Sequence, residues 1–159
     1  MASMTPLQRT LKLLAVRQRT ERELLLALAR AKVPPAEREA AVARVKELGY
    51  LDDSEVARSR ARTLLGRGTA PRLAARKLAA QGIAAAEARA AADEAAEGAG
   101  EEDLARAAVR RALRGRTPDA ADKQKLLRKL AARGHKPSVL AKILGTEWEG
   151  DDPEDDEPL

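Results

Sequence analysis

Residues 76–83 read RKLAAQGI and residues 128–135 read RKLAARGH, an offset of 52. Shifted by a further 50, LALARAKV at 26–33 sets Leu28 beside Leu78 and Leu130, and Val33 beside Ile83 and His135. The second and third copies agree closely and the first only weakly. A period of about fifty residues has room for three short helices. One such module buries too little apolar surface to stand alone, so neighbouring copies must stack. The sequence therefore predicts an all-α, elongated array of three tandem three-helix repeats, spanning 6–50, 51–98 and 99–145, with a disordered acidic tail at 146–159.

Composition agrees with helices. The apolar share is carried by Ala and Leu, and the polar share by Arg, Lys and Glu, all residues that lose little freedom in a helix. The punctuation divides the chain into nine segments, at about 6–17, 20–31, 35–48, 53–66, 70–81, 85–97, 101–114, 118–133 and 137–144. Thr5-Pro6-Leu7-Gln8 supplies a cap, Pro at the first helical position and Gln at the third, and Thr20-Glu21-Arg22-Glu23 is a full capping box. Pro34-Pro35, Thr117-Pro118 and Lys136-Pro137 mark three further starts.

The first repeat meets the second at GYLDD, residues 49–53. Gly49 reads as a left-handed stop after the helical run that precedes it. Asp52 reads as the next N-cap with Glu55 three positions on, and Leu51 as a staple onto Val56. Asp53 falls at the first helical position, so both aspartates serve the helix start rather than a metal. Tyr50, the only tyrosine, is expected to fill the wedge between two helices with its hydroxyl in water.

No run of some 18 apolar residues is present, so no membrane span is expected, and the first ten residues lack the apolar core of a signal peptide. The absence of cysteine removes disulfides and thiolate chemistry and fits a cytoplasmic address. The lone His135 has no cysteine and no spaced acid for a metal site, and its repeat partners are Val33 and Ile83, which favours a partly buried structural role. GRG at 66–68 lacks the spacing of a phosphate loop. Neither catalysis nor a cofactor is expected.

Charge is more informative. The chain carries +5, but all 30 Lys and Arg lie before residue 146, against 17 acids there, so residues 1–145 carry +13. The last fourteen residues hold eight acids and no base. A basic body of this kind usually meets a polyanion. Residues 56–86 contain no acid yet include Arg58, Arg60, Arg62, Arg67, Arg72, Arg76 and Lys77. Residues 123–146 again contain none, with Lys125, Arg128, Lys129 and Arg133 among their cations. Lys125, Lys129 and Arg133 recur every fourth residue and form one helical ridge. A solvated helix face normally mixes signs, so these stretches point to an anionic partner. With one Tyr, one Trp and no Phe, base stacking is poorly provided for, and phosphate or an acidic protein surface is the expected contact. The acidic tail either solubilises the chain or folds back on the basic ridge, with Trp148 as its anchor or packed at the last helix end.

GYLDD followed by a helix, then GRGTAP with KLAAQGI, then KQKLLRKLAARGHKPSVLAKIL, together resemble the RecX regulatory proteins of bacteria, over about residues 7–145. The resemblance implies a monomeric, non-catalytic regulator that binds the RecA filament on single-stranded DNA. Such a protein depresses RecA ATP hydrolysis, strand exchange and co-protease activity, and binds DNA weakly by itself. Arg60, Arg67, Gly68 and Pro71 keep places in the family's second-repeat motif and are nominated for the turn that meets the partner. Three positions depart from the pattern: Val56 and His135 replace aromatics, and Ala70 replaces glycine. The alternatives are an autonomous helical DNA-binding regulator and a purely structural repeat adaptor.

Overall fold

The computed structural model describes residues 3–154. Among them are nine α-helices and no strand: α1 Pro6–Val16, α2 Glu21–Arg30, α3 Pro35–Glu47, α4 Asp53–Gly66, α5 Pro71–Ala80, α6 Ala85–Ala95, α7 Glu101–Leu113, α8 Ala120–Ala131 and α9 Pro137–Leu144. No helix among the described residues is long and apolar enough to cross a membrane.

The expected caps close most starts. Thr5 and Thr20 accept from the backbone N–H of Gln8 and Glu23, whose side chains return the bond. Asp52 accepts from Ser54 and Glu55 N–H, while the Glu55 carboxylate reaches forward to Arg58 at 2.9 Å. One start is displaced. The eighth helix begins at Ala120 rather than at Thr117-Pro118, because Asp119 and Asp122 form a reciprocal capping box there.

Helices pack in consecutive triplets, α1–α3, α4–α6 and α7–α9. The first is filled by Leu24, Leu28, Val42 and Val45, and the third by Leu127, Leu130, Leu140 and Val109. Each fully buried leucine contributes about 1.5–3 kcal/mol. The middle triplet is built differently. Ala57, Ala61, Ala74, Ala75, Ala88, Ala91 and Ala92 line it, around Leu78 and Ile83, and such small side chains let helix backbones approach closely.

At GYLDD, Gly49 has φ +78°, as a left-handed stop requires. The wedge, however, is filled by Leu51, which is buried with the first triplet's core. Tyr50 is 63 % exposed and fills nothing. Asp53 does more than begin a helix: its carboxylate accepts the Glu21 N–H at 2.9 Å and so ties the start of α4 to the start of α2. Burial, with Glu21 and Glu87 nearby, pushes its carboxyl above the usual range despite that bond.

The triplets meet through helix ends, and the two joints repeat one design. At the first, Thr20, the cap of α2, donates Oγ1–H to the Gln81 carbonyl just beyond α5, at 2.8 Å. At the second, Ala70, the cap of α5, donates its N–H to the Arg133 carbonyl beyond α8, also at 2.8 Å. The glycine following each acceptor lies against the preceding triplet's middle helix. A Cβ on Gly82 would stand 2.5 Å from the Arg22 Cβ, and one on Gly134 would stand 2.6 Å from that of Leu73.

Beyond α9 the chain turns back. Gln124 Nε2 donates to Thr146 Oγ1 at 2.9 Å. Asp152 then accepts from the Ser138 N–H at 2.9 Å and from the Ser138 hydroxyl. As far as Asp152 the tail thus bonds to Gln124 on α8 and to the N-terminus of α9, and Trp148 lies over Gly150. Its last five positions fall outside the described residues.

Candidate polyanion interface

The basic residues nominated from sequence divide into three sets. Some are consumed inside the joints. Arg60 donates to both Glu23 carboxylate oxygens, at 3.1 and 3.0 Å, to the Gln81 side chain, and to the Gln18 carbonyl at 3.1 Å. Partial burial works against the Glu23 carboxylate, but Arg60, the Thr20 N–H and Arg17 outweigh it and hold its pKa below the usual value. Arg133 turns off the α8 ridge and donates to the Arg67 carbonyl. His135 is 3 % exposed, with Nε2 at 2.8 Å from the Gly68 carbonyl. A carbonyl only accepts, so Nε2 carries the proton. Burial, helped by Arg133, lowers the His135 pKa against the opposing pull of that bond and of Glu101. At pH 7 the ring is neutral.

Others have local roles. Arg58 pairs with Glu55 at 2.9 Å and Arg62 with Glu55 at 3.9 Å. Pro71 opens α5, and it lines with Arg72 a pocket of about 340 Å³ between the second and third triplets. Asp93, Glu101, His135 and Lys136 also line it, and Lys136 pairs with Glu101 at 3.4 Å. Arg76 and Lys77 stand exposed on α5, and Arg128 on α8.

The remaining cations gather elsewhere. A cleft of about 530 Å³ opens where α7, α8 and the α4–α5 turn meet, lined by Arg67, Gly68, Ala108, Arg111, Ala112, Arg114, Arg116, Lys129, Leu130 and Arg133. It contains no acid. A second depression of about 280 Å³ shares Ala112, Arg116 and Lys129 with it and continues along α8 to Lys125. The one carboxylate there, Asp122, is engaged in the α8 cap. Arg67, Arg111, Arg114, Arg116, Lys125 and Lys129 form no ion pair among the described residues. Concentrated, unneutralised positive charge in a concave surface focuses field on anions.

Sequence reasoning missed Arg111, Arg114 and Arg116. A signal was available: residues 104–118 hold five arginines and no acid. It stands out less because the acid-free runs at 56–86 and 123–146 are longer. Among the described residues there is no cluster of three or more His, Asp or Glu able to hold a metal ion.

The architecture is therefore an all-α array of helix triplets carrying a basic cleft at its second joint. No protein-family model matches the chain, and no curated protein sequence does. Solved structures do. The crystal structure of regulatory protein RecX superposes with a TM-score of 0.66 at 22 % identity, covering 87 % of this chain and 70 % of the other. RecX from Lactobacillus salivarius superposes with a TM-score of 0.64 at 15 % identity, covering 88 % of this chain and 92 % of that one. The chain has the RecX fold.

Proposed function

We infer that this chain is a non-catalytic regulator of RecA. It binds the RecA filament on single-stranded DNA and lowers its ATP hydrolysis, strand exchange and co-protease activity. The observation that carries the reading is the RecX fold along nearly the whole chain, joined to the GYLDD, GRGTAP and KLAARGH stretches from which the resemblance was drawn. The basic cleft supports it, since a filament on single-stranded DNA contains a phosphate backbone. The exposed cations Arg67, Lys125, Arg128 and Lys129 are the proposed contacts, with Arg72, Arg76 and Lys77 on the neighbouring helix. Arg60 and Arg133 act through the joints they hold. The protein works in the cytoplasm as a monomer and touches DNA weakly when RecA is absent.

The test is RecA ATP hydrolysis on single-stranded DNA with this protein added far below one copy per RecA. A steep loss of hydrolysis is expected. Unchanged hydrolysis at equimolar protein, with tight sequence-selective duplex binding, would replace this reading with an autonomous DNA-binding protein.

A further inference from the structure

The two joints can be superposed residue by residue by counting from helix caps. Arg60 lies eight residues beyond its cap Asp52, and Ala108 eight residues beyond its cap Gly100. Glu23 lies three beyond Thr20, and Leu73 three beyond Ala70. The surroundings agree with the count at Gln18 and Gly68, while the glycine contact slips by one residue, from Arg22, two beyond its cap, to Leu73, three beyond. Arg60 reaches the Gln18 carbonyl, and Ala108 lies against Gly68, which is fifty residues beyond Gln18. In the first joint, then, an arginine and a carboxylate fill the space and neutralise each other. In the second, both are gone, replaced by Ala108 and Leu73, and Gln81 has become Arg133.

The space left at Ala108 is the 530 Å³ cleft, with a rim of Arg67, Arg111, Arg114, Arg116 and Lys129 and no acid. The first joint supplies its own anion, Glu23. In the second, the acids Asp93 and Glu101 lie in the neighbouring pocket with Lys136, and the cleft itself has cations in excess and no anion. We propose that this cleft is an oxyanion site completed from outside by the phosphodiester backbone of single-stranded nucleic acid, which closes the second joint as Glu23 closes the first. Four arginines with a lysine suit phosphate, because guanidinium groups bind its oxygens in a fork. A phosphate seated between Arg67 of the second triplet and Arg111 and Arg116 of the third would fix the angle between them. This deepens the DNA contact of the proposed function by giving it a place and a mechanical effect.

The experiment contains no RecA, so its failure and the failure of the regulator reading are separate events. A fluorescent thymidine oligonucleotide is titrated with the full chain at several salt concentrations and followed by anisotropy. The variant R111Q/R116Q is expected to bind about tenfold more weakly, with a salt slope smaller by about 1.4, from two lost phosphate contacts at about 0.7 each. The charge-matched variant R30Q/R89Q, with both changes outside the cleft, is expected to keep the native slope to within half that. Equal losses in the two variants would mean general attraction and overturn the site. A second variant, L73E/A108R, rebuilds the first joint's pair in the second and is expected to abolish oligonucleotide binding. If that variant does not fold, R111Q/R116Q still decides. Tripolyphosphate competing as tightly as the oligonucleotide, with the same sensitivity to R111Q/R116Q, would make the occupant a small polyphosphate and overturn the nucleic-acid assignment. Finally, the oligonucleotide is expected to slow exchange of the Ala70 N–H, which bridges the joint to Arg133. Native binding with unchanged exchange there would overturn the joint-closing role.

Discussion

Thr20 is wholly buried and bonds to Gln81, sixty-one residues away, while its hydroxyl oxygen also accepts the Glu23 N–H at 3.2 Å. One hydroxyl therefore caps a helix and joins two triplets. Thr20→Ala removes the cap and leaves a carbonyl without its donor, so a loss of about 2–3 kcal/mol is expected, against less than about 1 for Thr20→Ser. Urea unfolding of the two variants checks it. Equal stability of the alanine variant and the parent would show that the joint bond contributes nothing.

Glu23 and Arg60 should couple. A double-mutant cycle with Glu23→Gln and Arg60→Met is expected to give about 1 kcal/mol of interaction, held to that figure because both side chains are about one-fifth exposed. The sign with pH follows from the lowered carboxyl pKa. The contribution is present above the ordinary glutamate value and is lost as pH falls through the depressed folded value. An acid titration of stability in parent and Glu23→Gln tests this, and identical curves would refute it.

Gly134 has φ +93° and its α-carbon faces Leu73, whereas Gly49 has φ +78° and open space around it. Both resist replacement through backbone strain, but only Gly134 adds a collision. Gly134→Ala is expected to lower stability by about 2 kcal/mol or more, and Gly49→Ala by about 1. Thermal melts that rank the two the other way would contradict the close approach at the second joint.

His135 predicts a pH response of the second joint. Its folded pKa is depressed, so its contribution holds above the ordinary imidazole value of about 6.5 and is lost as pH falls through the folded value. The groups facing it are Arg133, Lys136 and Arg72, with Glu101 and Asp93 opposing them. His135→Ile, which restores the residue type of Ile83, is expected to flatten the dependence of Tm between pH 7 and 5. A variant as pH-sensitive as the parent would place the titrating group elsewhere.

On the proposed function, Lys125→Glu with Lys129→Glu is expected to weaken inhibition of RecA ATP hydrolysis at least tenfold while leaving Tm within a few degrees. Arg133 is left intact, because reversing it would also break the joint. Undiminished inhibition would move the contact off the α8 ridge.

Helix starts were legible because a cap and its partner lie three residues apart in the chain, as at Thr5, Thr20 and Asp52. The one displaced start had two capping signals in competition, Thr117-Pro118 and Asp119 with Asp122, and local sequence does not rank them. Arg60 and Arg133 read as surface cations because their partners stand 37 and 66 residues away. Tyr50 stands outside the joint for a related reason. Its size suggested a wedge, but the short joint admits one buried side chain, and Leu51 occupies that place. Arg111, Arg114 and Arg116 become a site only when α7 and α8 bring them beside Arg67.

The joints borrow mostly main-chain oxygen: the carbonyls of Gln18, Arg67, Gly68, Gln81 and Arg133. Every residue type brings a carbonyl, so these main-chain bonds themselves do not depend on which side chain stands at the acceptor. The demand on residue type then falls on the side chains that donate, on the carboxylates of Glu23 and Asp53, and on the neighbouring glycine. Many letters of such a protein can therefore change while its triplets keep their mutual pose, and shape persists where spelling does not.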